Sequence, residues 1–201
     1  MNKIGVFGGA FNPPHNFHFS VAEEILNNND DFKKIIFVPV GDKYKKDGLI
    51  SAEHRFNMLK KVCNTNKKFE VSRIEIEENE QLKAFQTLDK LSSLYPNSEL
   101  YFIIGTDSLK TLNTWANLDY LLTHYSFLVY KRGNDDFYEI LNNLPELEKY
   151  RNNIVFANNK IYSSLSSSHI REEIKKGKEL NYSLPKEVID YIKTNNLYQL
   201  D

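Results

Sequence analysis

The sequence predicts an α/β protein with a Rossmann-like parallel sheet flanked by helices, followed by a small C-terminal helical portion. Short apolar runs alternate with segments of helical period, as in consecutive βαβ units. Several runs are apolar at successive positions, which is typical of parallel strands covered on both faces. With 201 residues the chain fits one domain, in which residues 1–160 form the Rossmann-like core and residues 161–201 the helical part.

The strands are predicted from runs rich in β-branched and aromatic residues. In chain order these are Lys3–Phe7, Lys34–Val40, Phe69–Ile76, Tyr101–Ile104, Phe127–Tyr130 and Ile154–Ala157. Glu75, in the third run, and Glu77, directly after it, are predicted to be alternating strand residues. Side chains alternate between the two faces of a strand, so both glutamates are predicted to face solvent.

Helices are predicted between and after these strands from apolar residues three and four positions apart. The first follows His18 and the second is capped by Ser51. The others are Thr87–Tyr95, Asp135–Leu144, Ser166–Lys176 and Pro185–Asn195. No strand pattern follows residue 160, which predicts the helical end of the domain.

Composition excludes several classes of function. The 26 Lys+Arg and 27 Asp+Glu residues leave a formal net charge of -1, which gives no electrostatic reason to expect a nucleic-acid or membrane partner. No run approaches the roughly 20 apolar residues of a membrane-spanning helix, so the protein is predicted to be cytoplasmic. Cys63 is the only cysteine, which excludes an internal disulfide and a cysteine-rich zinc site. Assembly into a homo-oligomer stays open.

The segment Gly8–His18, GGAFNPPHNFH, follows the first predicted strand and opens the first helix. Ligands of parallel α/β sheets bind at the carboxyl ends of strands, and a helix N-terminus attracts anions. Gly8 and Gly9 allow the backbone to approach a phosphate closely. His15 and His18 share one side of the first helical turn, where they can donate hydrogen bonds to phosphate oxygens. The alternatives are two surface histidines beside a glycine turn, or a metal site, which lacks nearby carboxylates.

The segment Ser166–Arg171, SSSHIR, is a second helix N-terminus, with hydroxyl groups and a cation within one turn. The serines could serve only as helix caps, and Arg171 could pair with Glu172 or Glu173. Together with the first segment, however, it predicts a polyphosphate held between two helix N-termini.

The first segment resembles the G-x-F-D-P-x-H-x-G-H signature of the nucleotidyltransferase superfamily that contains the nicotinamide and nicotinate mononucleotide adenylyltransferases. The resemblance continues along nearly the whole chain. Further matching stretches are Ser51–Arg55, Ile103–Ser108 with Trp115, Arg132–Gly133, Ser166–Arg171 and the ending from Pro185 to Tyr198. Three positions depart from the pattern: Asn12 replaces Asp, Phe17 replaces Gly, and Lys83-Ala84 replaces Tyr-Thr.

The resemblance implies an ATP site and names its residues. Those implied to bind ATP are Gly8, Gly9, Ala10, Phe11, Ser166, Ser167, Ser168 and Ile170. Those implied to act on the phosphates are His15, His18, Lys45 and Arg171. Lys43 or Lys46 could take the place of Lys45, and a solvated loop lysine is the alternative. Arg55 could belong to the pocket or to the structure.

The resemblance also implies an acceptor pocket. In the nicotinate enzymes a tryptophan of this stretch stacks on the pyridine ring, which implies that Trp115 does so and that Asp107 lies beside it; a core anchor is the alternative for Trp115. Lys83 and Ala84 would lie near the ring carboxylate, and Lys83 could supply a cation for it. Arg132, at a predicted strand end, would lie beside the nucleotide.

The implied reaction is in-line attack by an acceptor phosphate on the α-phosphate of ATP, with release of pyrophosphate. An ionised acceptor phosphate needs no general base, so positioning and charge neutralisation carry the catalysis. Mg²⁺ would bridge phosphate oxygens and keep several waters, which leaves no protein metal ligand to assign. The expected substrates are ATP and a mononucleotide or another phosphorylated small molecule; a nucleotide-sensing module without activity is the alternative.

Overall fold

The computed structural model describes residues 2–160, 163 and 165–199, and it confirms the predicted α/β class. Its six strands form one parallel sheet in the order β3-β2-β1-β4-β5-β6. The strands are β1 Asn2–Gly9, β2 Phe32–Pro39, β3 Phe69–Val71, β4 Ser98–Gly105, β5 Ser126–Tyr130 and β6 Ile154–Phe156. All six coincide with predicted runs.

The third strand is shorter than predicted. It ends at Val71 instead of Ile76, after the Ser72 N–H donates to Phe37 O at 2.9 Å. The next residue of β2 whose backbone would bond to β3 is Pro39, which has no N–H to continue the ladder. The chain therefore leaves the sheet, and Glu75 lies in a turn, half-buried, while Glu77 is exposed. The prediction that Glu75 faces solvent from a strand is wrong.

Eight α-helices lie in the described residues. They are α1 Asn16–Asn28, α2 Ala52–Cys63, α3 Ala84–Leu94, α4 Thr106–Leu109, α5 Leu118–His124, α6 Phe137–Asn142, α7 Ser167–Lys175 and α8 Lys186–Thr194. The helices α4 and α5 were not predicted, nor were the 3₁₀ segments Leu112–Thr114 and Pro145–Asn153. These elements have too few turns to show an apolar period. The predicted cap of α2 is confirmed, since Ser51 Oγ accepts the His54 N–H at 3.4 Å.

The core has one half on each face of the sheet, because buried side chains alternate along every central strand. Phe7, Phe37 and Ile103 pack on one face with α1, α2 and α8. Val6, Val38 and Phe102 pack on the other face with α3, α5 and α6. Burial on both faces explains why these strands are apolar at successive positions.

The sheet order places a crevice at the carboxyl end of β1. The chain runs from β1 outward through β2 to β3, then crosses back to β4 on the other side of β1. The two connections diverge at this reversal and leave space between them, which is where ligands of open α/β sheets bind. No helix of the described residues is long and apolar enough to span a membrane, and the cytoplasmic location stays a prediction.

Candidate active site

One cleft of about 780 Å³ opens at the carboxyl ends of β1 and β4 and collects most of the predicted site residues. Its lining includes Gly8, Gly9, Ala10, Phe11, His15, His18, Lys83, Ala84, Asp107, Trp115, Arg132, Ser166, Ser167 and Ser168. These residues come from five separate stretches of sequence, and a volume of this size suits a small-molecule ligand. Three predicted residues, Lys45, Ile170 and Arg171, do not line it.

The two histidines stack at the start of α1, with ring centroids 3.6 Å apart. The backbone N–H of His15 donates to His18 Nδ1 at 3.1 Å. A ring nitrogen that accepts a hydrogen bond carries no proton, so the neutral His18 ring bears its proton on Nε2. His15 is 2% exposed, and its Nδ1 is the one buried side-chain nitrogen or oxygen of the described residues without a hydrogen-bond partner. A buried polar atom without a partner is uncommon in folded proteins, and this one belongs to a residue that lines the cleft.

Both histidines are neutral near pH 7. Burial, helped by the positive charge of Arg132, lowers the pKa of His15 to about 3. Burial also holds the pKa of His18 well below its usual value, with smaller contributions from His15 and Arg132. Each ring therefore carries one N–H group near pH 7 and can act on an anion as a neutral hydrogen-bond donor.

These lowered pKa values predict acid destabilisation of the folded protein. An unfolded histidine protonates near pH 6.5, whereas folded His15 protonates at about pH 3. The stabilising contribution is complete above pH 6.5 and is lost as the pH falls toward 3, with a slope approaching about 1.4 kcal/mol per pH unit per histidine. We expect urea unfolding between pH 7.5 and 4.5 to show a shallower pH dependence in His15→Asn than in the wild type. Equal slopes in both proteins would contradict this assignment.

Gly8 and Gly9 keep the start of the segment Gly8–His18, the first phosphate anchor, free of side chains. A Cβ on Gly8 would lie 2.9 Å from Phe102 Cζ, and one on Gly9 would lie 3.2 Å from Phe11 Cζ. Phe11 itself has a positive φ of 48° and is 2% exposed, with its ring 5.0 Å from that of His18. The packing of the Phe11 ring holds this unusual backbone conformation. The result is an open stretch of backbone beside the histidines.

The segment Ser166–Arg171, the second phosphate anchor, is joined directly to the first. Ser166 caps α7 by accepting the His169 N–H at 3.2 Å, and Ser167 Oγ donates to Pro13 O at 2.9 Å. Arg171 donates to Asn12 O at 2.8 Å and to Ser168 Oγ at 3.3 Å. These bonds hold the N-terminus of α7 against the loop between β1 and α1.

Two residues of α7 that are predicted to contact the ligand, Ile170 and Arg171, do not line the cleft. Ile170 is 1% exposed and packs in the core, and its N–H donates to Ser166 O. Arg171 donates to the Asn12 carbonyl and to Ser168 Oγ, and it does not line the cleft. Ile170 and Arg171 lie one helical turn beyond the serines, where Ile170 packs in the core and Arg171 reaches the loop between β1 and α1. Arg171 is positioned to hold the loop, and Ile170 to anchor the helix.

The lysine that reaches the cleft is Lys46. The loop between β2 and α2 carries Lys43, Lys45 and Lys46, all exposed, and of these only Lys46 lines the cleft, together with Tyr44. Three lysines within four residues of an irregular loop have no period that distinguishes them, so the spacing of the sequence could not choose between them.

The part of the cleft that is lined by Trp115 and Lys83 combines an aromatic surface with a helix N-terminus. Trp115 is half-buried, with its ring centroid 6.0 Å from that of Phe102 and 6.1 Å from that of Phe127. Lys83 precedes the first turn of α3, where its N–H donates to Gln86 Oε1 at 2.8 Å. The Lys83 side chain is exposed and forms no ion pair with the described residues. This end presents a flat apolar surface beside a free cation.

Asp107 and Arg132 face each other across the ends of β4 and β5. Arg132 Nη1 lies 2.8 Å from Asp107 Oδ2, and both side chains remain partly exposed to the cleft. A pair in this position can reorganise around a ligand, because each member keeps further donors or lone pairs.

Glu75 is a cleft residue that the sequence prediction missed. Its Oε1 accepts the Thr87 hydroxyl at 2.7 Å, and burial raises its pKa to about 7. Gly41 allows this position, because a Cβ there would lie 2.3 Å from Glu75 O. The signal in the sequence is Pro39, which ends the pairing of β2 with β3 at Val71. A prediction that used it would place Glu75 in the loop at the carboxyl end of the sheet.

Arg55 is structural. It is 0% exposed and donates to three backbone carbonyls: Ile50 O at 3.0 Å, Ala10 O at 3.0 Å and Val40 O at 2.6 Å. It therefore connects the first anchor to both ends of the loop 41–50, which carries Lys43, Lys45 and Lys46 and is called the lysine loop.

Comparisons with known proteins give one consistent result. Residues 6–173 match the family described as cytidylyltransferase-like. The chain is 36% identical over 200 residues to a probable nicotinate-nucleotide adenylyltransferase of Endomicrobium trichonymphae, covering 99% of this chain and 100% of that one. It is 33% identical over 205 residues to the nicotinate-nucleotide adenylyltransferase of Bacillus subtilis, with 99% and 100% covered. The solved structure of the Plasmodium falciparum nicotinic acid mononucleotide adenylyltransferase complexed with NaAD shares the fold, at a TM-score of 0.80 and 24% identity over 98% of each chain.

Proposed function

Because the chain belongs to the nicotinate-nucleotide adenylyltransferases of the cytidylyltransferase-like family, we propose that its cleft transfers AMP from ATP to nicotinate mononucleotide. The product is the dinucleotide precursor of NAD, and pyrophosphate is released. The observation that carries the proposal is that one cleft is lined both by residues of the two phosphate anchors and by Trp115 and Lys83.

The donor triphosphate is held at the two joined helix N-termini. Gly8 and Gly9 allow the phosphates to approach the backbone. Ser166 and Ser168 supply hydroxyl donors, because among the described residues their Oγ atoms only accept hydrogen bonds. The ring N–H groups of His15 and His18 donate to oxygens of the α-phosphate region, since both residues line the cleft. Lys46 supplies the phosphate-binding cation that the family resemblance implies for Lys45, because Lys46 is the lysine of the loop between β2 and α2 that lines the cleft.

The chemistry is a displacement at the α-phosphorus. An oxygen of the acceptor phosphate forms the new bond to phosphorus, the bond to the bridging oxygen of the β-phosphate breaks, and pyrophosphate leaves with the electron pair. The acceptor phosphate is already ionised, so no proton has to be removed from it. The histidine donors stabilise the charge that develops on the phosphate oxygens, and the cleft aligns the two reactants.

We propose that the donor enters as its Mg²⁺ complex. The described residues contain no group of three His, Cys, Asp or Glu side chains that could hold a metal ion. This donor set fits an ion carried by phosphate oxygens and water, the usual arrangement of Mg²⁺ with nucleotides. When bound, the ion neutralises part of the triphosphate charge.

The acceptor lies at the other end of the cleft. Its pyridine ring stacks on Trp115, whose other contacts with Phe102 and Phe127 hold the indole in place. The ring carboxylate faces the N-terminus of α3 and the free ammonium group of Lys83. This chain thereby uses a charge where the family pattern has hydroxyl groups.

Pyrophosphate release from ATP with a panel of acceptors tests the function. We expect turnover with nicotinate mononucleotide and a preference for it over the nicotinamide form, which lacks the negative charge. Lys83→Ala should raise KM for the nicotinate form by about fivefold, as expected for a partly solvated ion pair, and leave KM for the nicotinamide form unchanged. Lys67→Ala, at an exposed site outside the cleft, is the matched control.

The alternatives give different results in the same assay. Faster turnover with another phosphorylated acceptor would assign a different substrate to the same chemistry. Tight ATP binding without pyrophosphate release from any acceptor would overturn the transferase and favour a nucleotide-sensing module.

A further inference from the structure

The side-chain amide of Asn12 is an unusually well-connected buried group. Asn12 is 2% exposed, and its Nδ2 donates to Gly48 O at 2.7 Å. Its Oδ1 accepts the Tyr198 hydroxyl at 2.9 Å and the Ile50 N–H at 3.4 Å. Both ends of the amide are therefore used, and both bind segments distant in sequence.

The loop that Asn12 holds is the one that carries Lys46. Inside this loop Tyr44 donates to Gly41 and Leu49 donates to Lys46, both through the backbone. Arg55 holds Val40 and Ile50 at the two ends of the loop. Among the hydrogen bonds of the described residues, the bond from Asn12 to Gly48 is the one from outside the loop that reaches residues 43–49.

Tyr198 fixes the orientation of that amide. It lies in the segment after α8, beside Leu197 of the core, and its hydroxyl donates to Asn12 Oδ1. An amide whose oxygen is held by a hydroxyl donor must present its NH₂ group on the other side, toward Gly48. The C-terminal segment is thus connected to the lysine loop through the side chain of Asn12.

An aspartate could not make the same set of bonds. The family signature has Asp at this position, and an ionised carboxylate has no hydrogen to donate to Gly48 O. It would place a negative charge 2.7 Å from a carbonyl oxygen. The amide is therefore matched to the loop conformation of this chain.

We propose that Asn12, oriented by Tyr198, is a positioning residue that holds the loop 41–50 so that Lys46 faces the donor phosphates. The inference rests on the proposed function, because Lys46 acts on the nucleotide. It extends that function by making the C-terminal segment part of the nucleotide site.

The test compares Asn12→Asp and Tyr198→Phe with Tyr191→Phe. Tyr191 donates or accepts one hydrogen bond with His54 Nδ1 at 3.0 Å, so its variant removes the same hydroxyl from the same C-terminal region without touching the loop. We expect both Asn12→Asp and Tyr198→Phe to raise KM for ATP by roughly tenfold with a smaller change in kcat, as for the loss of one positioned hydrogen bond. Tyr191→Phe should leave KM for ATP unchanged.

Coupling to Lys46 separates positioning from a general loss of structure. If Asn12 acts through Lys46, then Asn12→Asp combined with Lys46→Ala should have the same KM for ATP as Lys46→Ala alone. The proposal would be overturned if the increases in KM for ATP caused by Asn12→Asp and Lys46→Ala multiplied in the double variant. It would also be overturned if Tyr191→Phe raised KM for ATP as much as Tyr198→Phe does.

Hydrogen exchange tests the loop independently of activity. Amides of residues 43–49 should exchange faster in Asn12→Asp than in the wild type, while the amides of α3 stay unchanged. Unchanged exchange in the loop overturns the positioning role even if the enzyme is active. Faster exchange in a protein that releases no pyrophosphate would instead overturn the proposed function alone.

Discussion

Replacing His18 by alanine is expected to lower kcat about 10²- to 10³-fold, with little change in KM for ATP, because a donor aimed at developing charge acts mainly in the transition state. The His15 N–H holds His18 Nδ1, so the ring cannot turn away and its Nε2–H group stays directed by the backbone. The lowered pKa of His18 keeps the ring neutral, and the donor is ready without a protonation step. Steady-state kinetics of pyrophosphate release with nicotinate mononucleotide measures the loss.

Two variants control this result. His18→Gln can present an amide N–H near the place of Nε2 and should recover part of the loss. His169→Ala, at an exposed position of α7, should behave like the wild type. A His18→Ala enzyme that keeps its kcat and loses only affinity for ATP would show that the histidine binds the ground state and contributes nothing specific to the transfer.

The sequence predicted the sheet well because its central strands are buried on both faces. Phe37 and Val38 enter opposite halves of the core, and so the run is apolar at every position and hard to mistake. Prediction failed where a tertiary contact ends an element. The third strand ends because the neighbouring strand β2 contributes Pro39, which has no N–H to donate. Pro39 lies 32 residues before Val71 in the chain, so the local pattern of the third strand does not contain this signal.

The candidate site was predictable to the extent that its chemistry is local. His15 and His18 lie on one helical turn and Ser166 to Ser168 on another, so spacing alone grouped each set. The roles of Arg171, Lys46 and Glu75 depend on where three loops meet. The sequence predicts Arg171 as a phosphate ligand, and the fold adds a contact that the sequence does not show, the hydrogen bond to the Asn12 carbonyl.

Arg55 gives the largest expected effect on stability. Arg55→Met should lower the free energy of unfolding by about 3 to 5 kcal/mol, because three buried carbonyls lose the donors that satisfy them. Burial lowers the pKa of the guanidinium, yet its nearest carboxylate, Asp42, lies 3.9 Å away and is largely exposed. The favourable partners of this cation are thus the carbonyls of Ala10, Val40 and Ile50, and not an ion pair.

Urea unfolding of three proteins checks this interpretation. Arg73→Met removes an exposed arginine paired with Glu53 and Glu77, and it should cost less than about 1 kcal/mol. Arg55→Lys keeps the charge but has one ammonium group, which cannot replace the planar fork that reaches three carbonyls, so it should recover only part of the loss. Full recovery by lysine would mean that the charge at Arg55 matters and its three bonds do not. A loss in Arg55→Met no larger than in Arg73→Met would mean that the loops behind the cleft are held by their packing, and the joining of the first anchor to the lysine loop through Arg55 would then be wrong.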